Sequence, residues 1–254
     1  SELEQAVIDA GGCAAEMRSA AAWQQHPQGQ AVQREPLFSW QSTQQAAAPA
    51  WPLAEARPLM GIKVLDLTRI IAGPVATRFL ASLGASVLRI DPPGWEEPSM
   101  EPDVTAGKRC ARLDLHHPQD RATFEQLLAG ADVLVHGYRA GALEKLGYGE
   151  AQRQALSPGL VDVSLNAYGW HGPWRERRGF DSLVQMSCGI AAGGMESLQA
   201  PAPRPLPVQA LDHATGCLMA AAVLHGLAER LRHGRGCSVR MSLARTARER
   251  SEER

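Results

Sequence analysis

"IKVLDLTRIIAGPVATRFLASLGASVLRID", Ile62 to Asp91, decides the fold. Its first and last segments, "IKVLDL" and "SVLRID", are short apolar runs of strand length, and "PVATRFLASLG" between them has the composition of one helix ended by glycine. Two strands joined by a single helix make a βαβ unit with parallel strands. The same alternation continues downstream through the strand "ARLDL", the helix "HPQDRATFEQLLAGA", the strand "DVLVHGY", short helices over "AGALEKLG" and "EAQRQAL", and the strand "LVDVSLNAY". A polar loop, "GWHGPWRERRG", precedes a helix over "FDSLVQMSCGIAAG". The Pro-rich "APAPRPLPVQ" then leads into "VQALDHATGCLMAAAVLHGL", Val208 to Leu227, and "GRGCSVRMSLA" supplies a last strand. The expected fold class is α/β: an open, mostly parallel, Rossmann-like sheet with helices on both faces and ligands at the carboxyl ends of its strands.

Outward from this block the pattern changes. Residues 1–40 read as a helical segment, with "ELEQAVIDA" stopped at Gly11-Gly12, strong helix formers in "AAEMRSAAAWQQH", and a short strand over "REPLFSW". From 41 to 60 small residues, glutamines and prolines without periodicity predict a linker. Residues 61–244 form the sheet domain, and 245–254, "RTARERSEER", a charged tail that frays.

Composition narrows the function. A formal charge of −1 over 254 residues argues against nucleic acid or an anionic membrane as a partner held by bulk charge. The five scattered cysteines form no CxxC pair, so neither a disulfide framework nor a zinc site is indicated. With no apolar stretch near the roughly 20 residues of a bilayer span, and without the basic-then-apolar order of a signal peptide at its start, the chain reads as soluble and cytoplasmic.

The first strand-to-helix turn, "LDLTRIIAGP", lacks GxGxxG. With Gly73 alone in it, and Ile70 and Ile71 at its centre, a nicotinamide or flavin cofactor is disfavoured. No GxxxxGK[ST], HExxH or GxSxG occurs, which removes the phosphate-loop, zinc-protease and serine-hydrolase signatures and leaves no metal expected. Asp212, at the head of a small and apolar helix, carries two readings. As an N-cap its carboxylate accepts from the amide of Ala214 or Thr215; as a reactive acid the same helix end keeps it charged and aimed at a carbonyl, with His213 beside it.

Across Gly61 to about Ala244 several motifs stand in one order: "GIKVLDLTRIIAGPVATRFLASLGASVLRID", "GKRCARLDL", "ADVLVHGYRAGALEKLG", "GPWRERRGFDSLVQ", "LDHATG" and "GRGCSVRMSLA". In this the chain resembles the family III CoA-transferases, relatives of α-methylacyl-CoA racemase. The resemblance implies that Asp212 is the nucleophile, attacking an acyl-CoA thioester to form a mixed anhydride and then an aspartyl-CoA thioester from which a carboxylic acid takes CoA. No prosthetic group is implied, since coenzyme A and acyl-CoA enter as substrates. The same likeness assigns CoA contacts to Ile71 and Ala72, to Leu113, Asp114, Leu115 and His116, to Gly137, Tyr138 and Arg139, to Lys145, and to Arg178 and Asp181. Lys145, Arg139 and Arg178 have the charge to meet phosphates.

The chain departs from the family at named places. Gly137 stands where asparagine is usual and His116 where a basic residue is frequent, so CoA contacts there are expected to be fewer or rearranged. Phe180 stands where the racemase branch has a proton-moving histidine, which disfavours racemisation. Family members carry a small domain after the strand that "CSVRMSLA" resembles, whereas here residues 1–40 look like the end of such a domain placed in front. A fragment of a longer, tandem or rearranged protein is the simplest expectation, with an acceptor pocket lacking part of its walls. A homodimer is implied by the family alone. The competing function is a non-catalytic CoA or acyl-CoA binding module in which Asp212 only caps its helix.

Overall fold

The computed structural model of the chain describes residues 1–51 and 56–252. In chain order its elements are α1 (Glu2–Asp9), α2 (Ala20–Gln25), α3 (Pro27–Arg34), β1 (Ser39–Gln45), β2 (Lys63–Leu67), α4 (Ala72–Ser82), β3 (Ser86–Asp91), α5 (Glu101–Val104), β4 (Arg109–Arg112) and α6 (Pro118–Ala129). They continue with β5 (Val133–His136), α7 (Ala142–Lys145), α8 (Glu150–Leu156), β6 (Val161–Asn166), α9 (Asp181–Ser187), α10 (Ile190–Ser197), α11 (Ala210–His233), β7 (Arg235–Ser242) and α12 (Leu243–Glu252).

The strands form one sheet in the order β1-β7-β6-β5-β2-β3-β4. From β6 through β5, β2 and β3 to β4 every pair is parallel. Parallel strands covered on both faces are buried on both, and β5 and β6 are buried along their whole length, the polar His136, Asp162, Ser164 and Asn166 included. The chain runs outward from β2 to β3 and β4, then returns to lay β5 on the opposite side of β2. This reversal makes the carboxyl ends of β2 and β5 the switch point where open α/β sheets bind ligands. The α/β class and the open, mostly parallel sheet of the expectation are what the structure has.

Contacts divide the chain into two compact units. The larger comprises Trp40–Leu165 and Gly216–Arg240, with a core in which Leu65, Leu67, Ile90, Phe124, Leu128, Leu134 and Leu160 pack together. The smaller comprises Ser1–Ser39, Asn166–Thr215 and Met241–Arg254. In it the Arg177 guanidinium stacks 4.0 Å over the Trp174 ring and bonds Glu4 at 2.8 Å, while Arg18 bonds Glu4 at 2.8 Å. Burial pushes the Glu4 carboxyl up, but bonds from Arg18, the Glu16 amide and Arg177 hold it down at about 2. That carboxylate fastens α1 within its unit.

Several boundaries differ from expectation. The strand expected over "REPLFSW" lies at Ser39–Gln45, so residues 41–45 are sheet rather than linker; residues 52–55 of that linker lie outside the described residues. Its polar sequence, "SWQSTQQ", suits an edge strand with exposed side chains, which leaves no apolar period to read. The helix over "AAEMRSAAAWQQH" begins only at Ala20, where Ser19 caps it. β4 starts two residues before "ARLDL" and ends at Arg112. "FDSLVQMSCGIAAG" is two helices, broken at Gly189 with φ of 92°, where a Cβ would lie 2.4 Å from the Ala20 nitrogen. The tail is helical to Glu252, because Ala244, Thr246 and Ala247 form a small buried face; residues 253–254 lie outside the described residues. The division at 40 and 60 also shifts, since residues 1–39 cluster with 166–215 rather than standing as a separate appendage.

Candidate active site

In the larger unit the site is built on the turn after β2. Asp66, in the middle of an apolar strand, accepts from the Thr68 amide at 2.9 Å, the Thr68 hydroxyl at 2.5 Å, the Thr77 hydroxyl at 2.6 Å and Lys108 Nζ at 2.9 Å. Lys108 also donates to the Pro74 carbonyl at 3.2 Å, so this one buried pair ties β2 to the first turn of α4. Burial pushes the Lys108 ammonium down in pKa, and Asp66 opposes that shift. A Cβ on Gly73 would fall 2.2 Å from the Thr68 Cβ, which is why the turn has its glycine there and not in a GxGxxG array. Ile70, β-branched, takes a φ of 69°, a costly conformation that surrounding contacts must hold. Its amide donates to Glu97 Oε1 at 2.6 Å, and Arg89 bonds the other Glu97 oxygen at 2.5 Å.

The family-assigned positions of this unit fall as follows. Ile71 caps α4 and Ala72 is its buried first residue. Gly137, Tyr138 and Arg139 follow β5, so these two groups lie at the switch point, where Arg69 sits 5.6 Å from the Tyr138 ring and 5.0 Å from that of Trp95. Leu113 to His116 follow β4, two strands from β2. There Asp114 accepts from the His116 amide at 2.9 Å, His116 is exposed, and Leu115 is a core side chain. Lys145 is the exposed last residue of α7. Beside the ends of β3 and β4 a cavity of about 340 Å³ is lined by Arg89, Asp91, Trp95, Glu97, Cys110 and Arg112, with the Trp95 indole nitrogen and Arg89 Nη1 buried and unbonded.

In the smaller unit α11 begins at Ala210, after a single 3₁₀ turn, Pro207–Gln209, in which Val208 and Gln209 hold φ of 54° and 49°. Asp212 therefore lies inside the first helical turn and is not its cap. An N-cap needs non-helical backbone, and here the helix has started two residues earlier. The cap comes instead from Asp181, the first residue of α9, whose Oδ2 accepts from the Leu211 and Asp212 amides at 2.7 and 3.0 Å. Gln185 donates to the other Asp181 oxygen, and its carbonyl accepts the Leu206 amide at 2.7 Å. The strained turn is thus gripped on both sides. Asp181, assigned to CoA by resemblance, has its carboxylate engaged by protein donors, and Arg178 donates to the Gly11 carbonyl at 3.1 Å.

The Asp212 side chain is 6% exposed, and among the described residues no donor bonds it. Burial pushes its carboxyl up to about 7, and the Asp181 carboxylate adds to the rise. Near neutrality it exists in both protonation states, in reach of the favourable field of a helix N-terminus. His213 next to it is exposed. Phe180 caps α9 and is 44% exposed, with no base in its place.

Sequence reasoning missed Lys108, Thr77, Glu97, Arg69 and Gln185. The one available signal was Asp66, an acid within an apolar strand that has to find a partner. Among the described residues no three His, Cys, Asp or Glu side chains are grouped to hold a metal, and no helix is long and apolar enough to cross a membrane.

Residues 59–252 match the family model described as CoA-transferase family III, and the chain belongs to that family. It is 36% identical over 248 residues to an acyl-CoA transferase of Gibberella moniliformis, covering 92% of this chain and 43% of that protein. It is 36% identical over 200 residues to the acetyl-coenzyme A transferase nodX of Hypoxylon pulicicidum, covering 77% and 34% respectively. The crystal structure of Rv3272 from M. tuberculosis superposes with a TM-score of 0.71 at 33% identity, over 78% of this chain and 57% of that one. The chain spans less than half the length of these curated relatives.

Proposed function

We propose that the chain supplies the nucleophile and CoA-binding positions of a transferase that moves CoA from an acyl-CoA thioester to a carboxylic acid. The Asp212 carboxylate attacks the thioester carbonyl and the CoA thiolate leaves, forming a mixed anhydride. The thiolate then attacks the Asp212 acyl carbon, releasing the donor as its carboxylate and leaving an aspartyl-CoA thioester. An acceptor carboxylate attacks that thioester, the thiolate leaves again, and its return to the acceptor carbonyl gives the new acyl-CoA and free Asp212. Both intermediates keep the acyl group activated, so no other energy source enters. One observation carries this reading: a buried carboxyl in the first turn of α11 that no described donor bonds, at the position to which the sequence resemblance assigns the nucleophile. The names of the two fungal relatives, both acyl-CoA or acetyl-CoA transferases, support it. Ile71, Ala72, Leu113 to His116, Gly137 to Arg139, Lys145 and Arg178 are the proposed CoA positions. With phenylalanine at 180, racemisation through that position has no base.

Incubation with acyl-CoA donors followed by hydroxylamine or borohydride tests the proposal. The expected result is a modified peptide at Asp212, lost in Asp212→Asn. Tight CoA binding without any adduct would overturn the transferase reading in favour of a binding module.

A further inference from the structure

Asp181 lies at the head of α9, 1% exposed. One oxygen accepts the amides of Leu211 and Asp212 at 2.7 and 3.0 Å, and the other accepts Gln185 Nε2. In every bond it is the acceptor, the role of a carboxylate, and among the described residues no lysine, arginine or histidine pairs with it. Two acids therefore meet at one helix end without a cation. Natural interiors tolerate that arrangement only where something else holds it, and here the holding groups are backbone amides and a glutamine.

We propose that Asp181 is a positioning residue for Asp212: it caps α11 from outside the helix and so aims the Asp212 side chain, and it sets a second negative charge beside that side chain. The inference rests on Asp212 being the nucleophile. Its chemical sense lies in basicity. Burial raises the proton affinity of the Asp212 carboxyl, Asp181 raises it further to a pKa of about 7, and a more basic carboxylate attacks a carbonyl faster once ionised. The optimum for such a group lies near the working pH, where basicity and ionised fraction balance.

Other charges are directed elsewhere. On α12, which packs on α9, Arg245 and Arg248 donate to the carbonyls of Glu35 and Gln33, and Thr246 bonds Thr215. Just after α9, at its C-cap, the half-buried Cys188 thiol is pushed up to about 12 by desolvation, so it stays neutral. His213, on the same turn of α11, is exposed. Gln185 completes the device: it binds Asp181 and, through both polar atoms, the Leu206 backbone, fixing the start of the strained turn that delivers α11.

The test is a ¹³C-carboxyl titration of Asp212 in the whole chain without CoA, for the parent and for Asp181→Asn, which keeps an acceptor for the two amides and removes the charge. The parent midpoint is expected near 7, falling by about one unit in Asp181→Asn; a midpoint that stays at its parent value or rises would overturn the proposal. Should the variant not fold, the parent decides alone, because a midpoint in the ordinary aspartate range, about 4, overturns it. The rising limb of Asp212 trapping by acyl-CoA should move to lower pH with the same shift. If no acyl-CoA labels Asp212 while its midpoint still responds to Asp181→Asn, the coupling stands and the nucleophile reading falls.

Discussion

Asp66 in the larger unit and Asp212 in the smaller are both buried acids near the start of a helix, and they have been treated in opposite ways. Asp66, fully enclosed, receives a lysine, two hydroxyls and an amide. Among the described residues Asp212 receives none of these, and the charge that acts on it is another carboxylate, that of Asp181. A buried acid surrounded by donors is a fastener, since every lone pair is already met. A buried acid kept short of donors stays available for a carbonyl carbon.

The largest effect separating the two should come from Lys108→Met. Asp66 would remain buried without its cation, and loss of one partner of such a pair costs about 3–5 kcal/mol; denaturant unfolding should show the midpoint collapse, and an unchanged midpoint would break the comparison. Removing the other acid should have the opposite sign. The Asp212 carboxyl is raised from its unfolded value to about 7, so below about pH 4 both states hold the proton and the site is neutral in its effect. Between about 4 and 7 the folded state alone holds it, stability falls as pH rises, and above about 7 the folded protein carries a buried charge. Asp212→Asn is therefore expected to match the parent near pH 4 and to exceed it at pH 8 by about 2–4 kcal/mol, measured by urea titration at the two values. Equal stability of the two proteins at pH 8 would show that the carboxylate is not strained by its surroundings. Smaller effects sharpen the same contrast. Gln185→Leu strips Asp181 and Leu206 of a buried partner, and about 1–3 kcal/mol should be lost, with hydrogen exchange at the Leu211 amide rising. Thr77→Val removes one of four donors to Asp66 and should cost about 1–2 kcal/mol, without changing Asp212 labelling.

The legibility of these features followed their range along the chain. β2, α4 and β3 were plain because apolar period and a terminal glycine are local signals, and "SVLRID" and "EAQRQAL" match their elements end to end. Asp212 stood out by the order of motifs around it, while spacing alone fitted a cap as well as a reactive acid, and the structure gives the capping role to another residue. The true cap, Asp181, is 31 residues earlier and belongs to another helix, so no local pattern announces it. β1 and α12 were hidden for a different reason: one exposes polar side chains at a sheet edge, and among the described side chains the other buries Leu243, Ala244, Thr246 and Ala247, crowded into its first turns with no repeat to read.

The Glu97 carboxylate on the Ile70 amide has a consequence for how affinity is read. A backbone donor at a strand-to-helix turn is ordinarily free for an incoming oxygen, but here it already holds one from the protein's own chain. Any ligand oxygen that takes this amide must first evict Glu97 and leave Arg89 with Asp91. Occupancy there is an exchange between two acceptors, so an apparent dissociation constant measured at that turn reports the difference between a guest and a resident competitor.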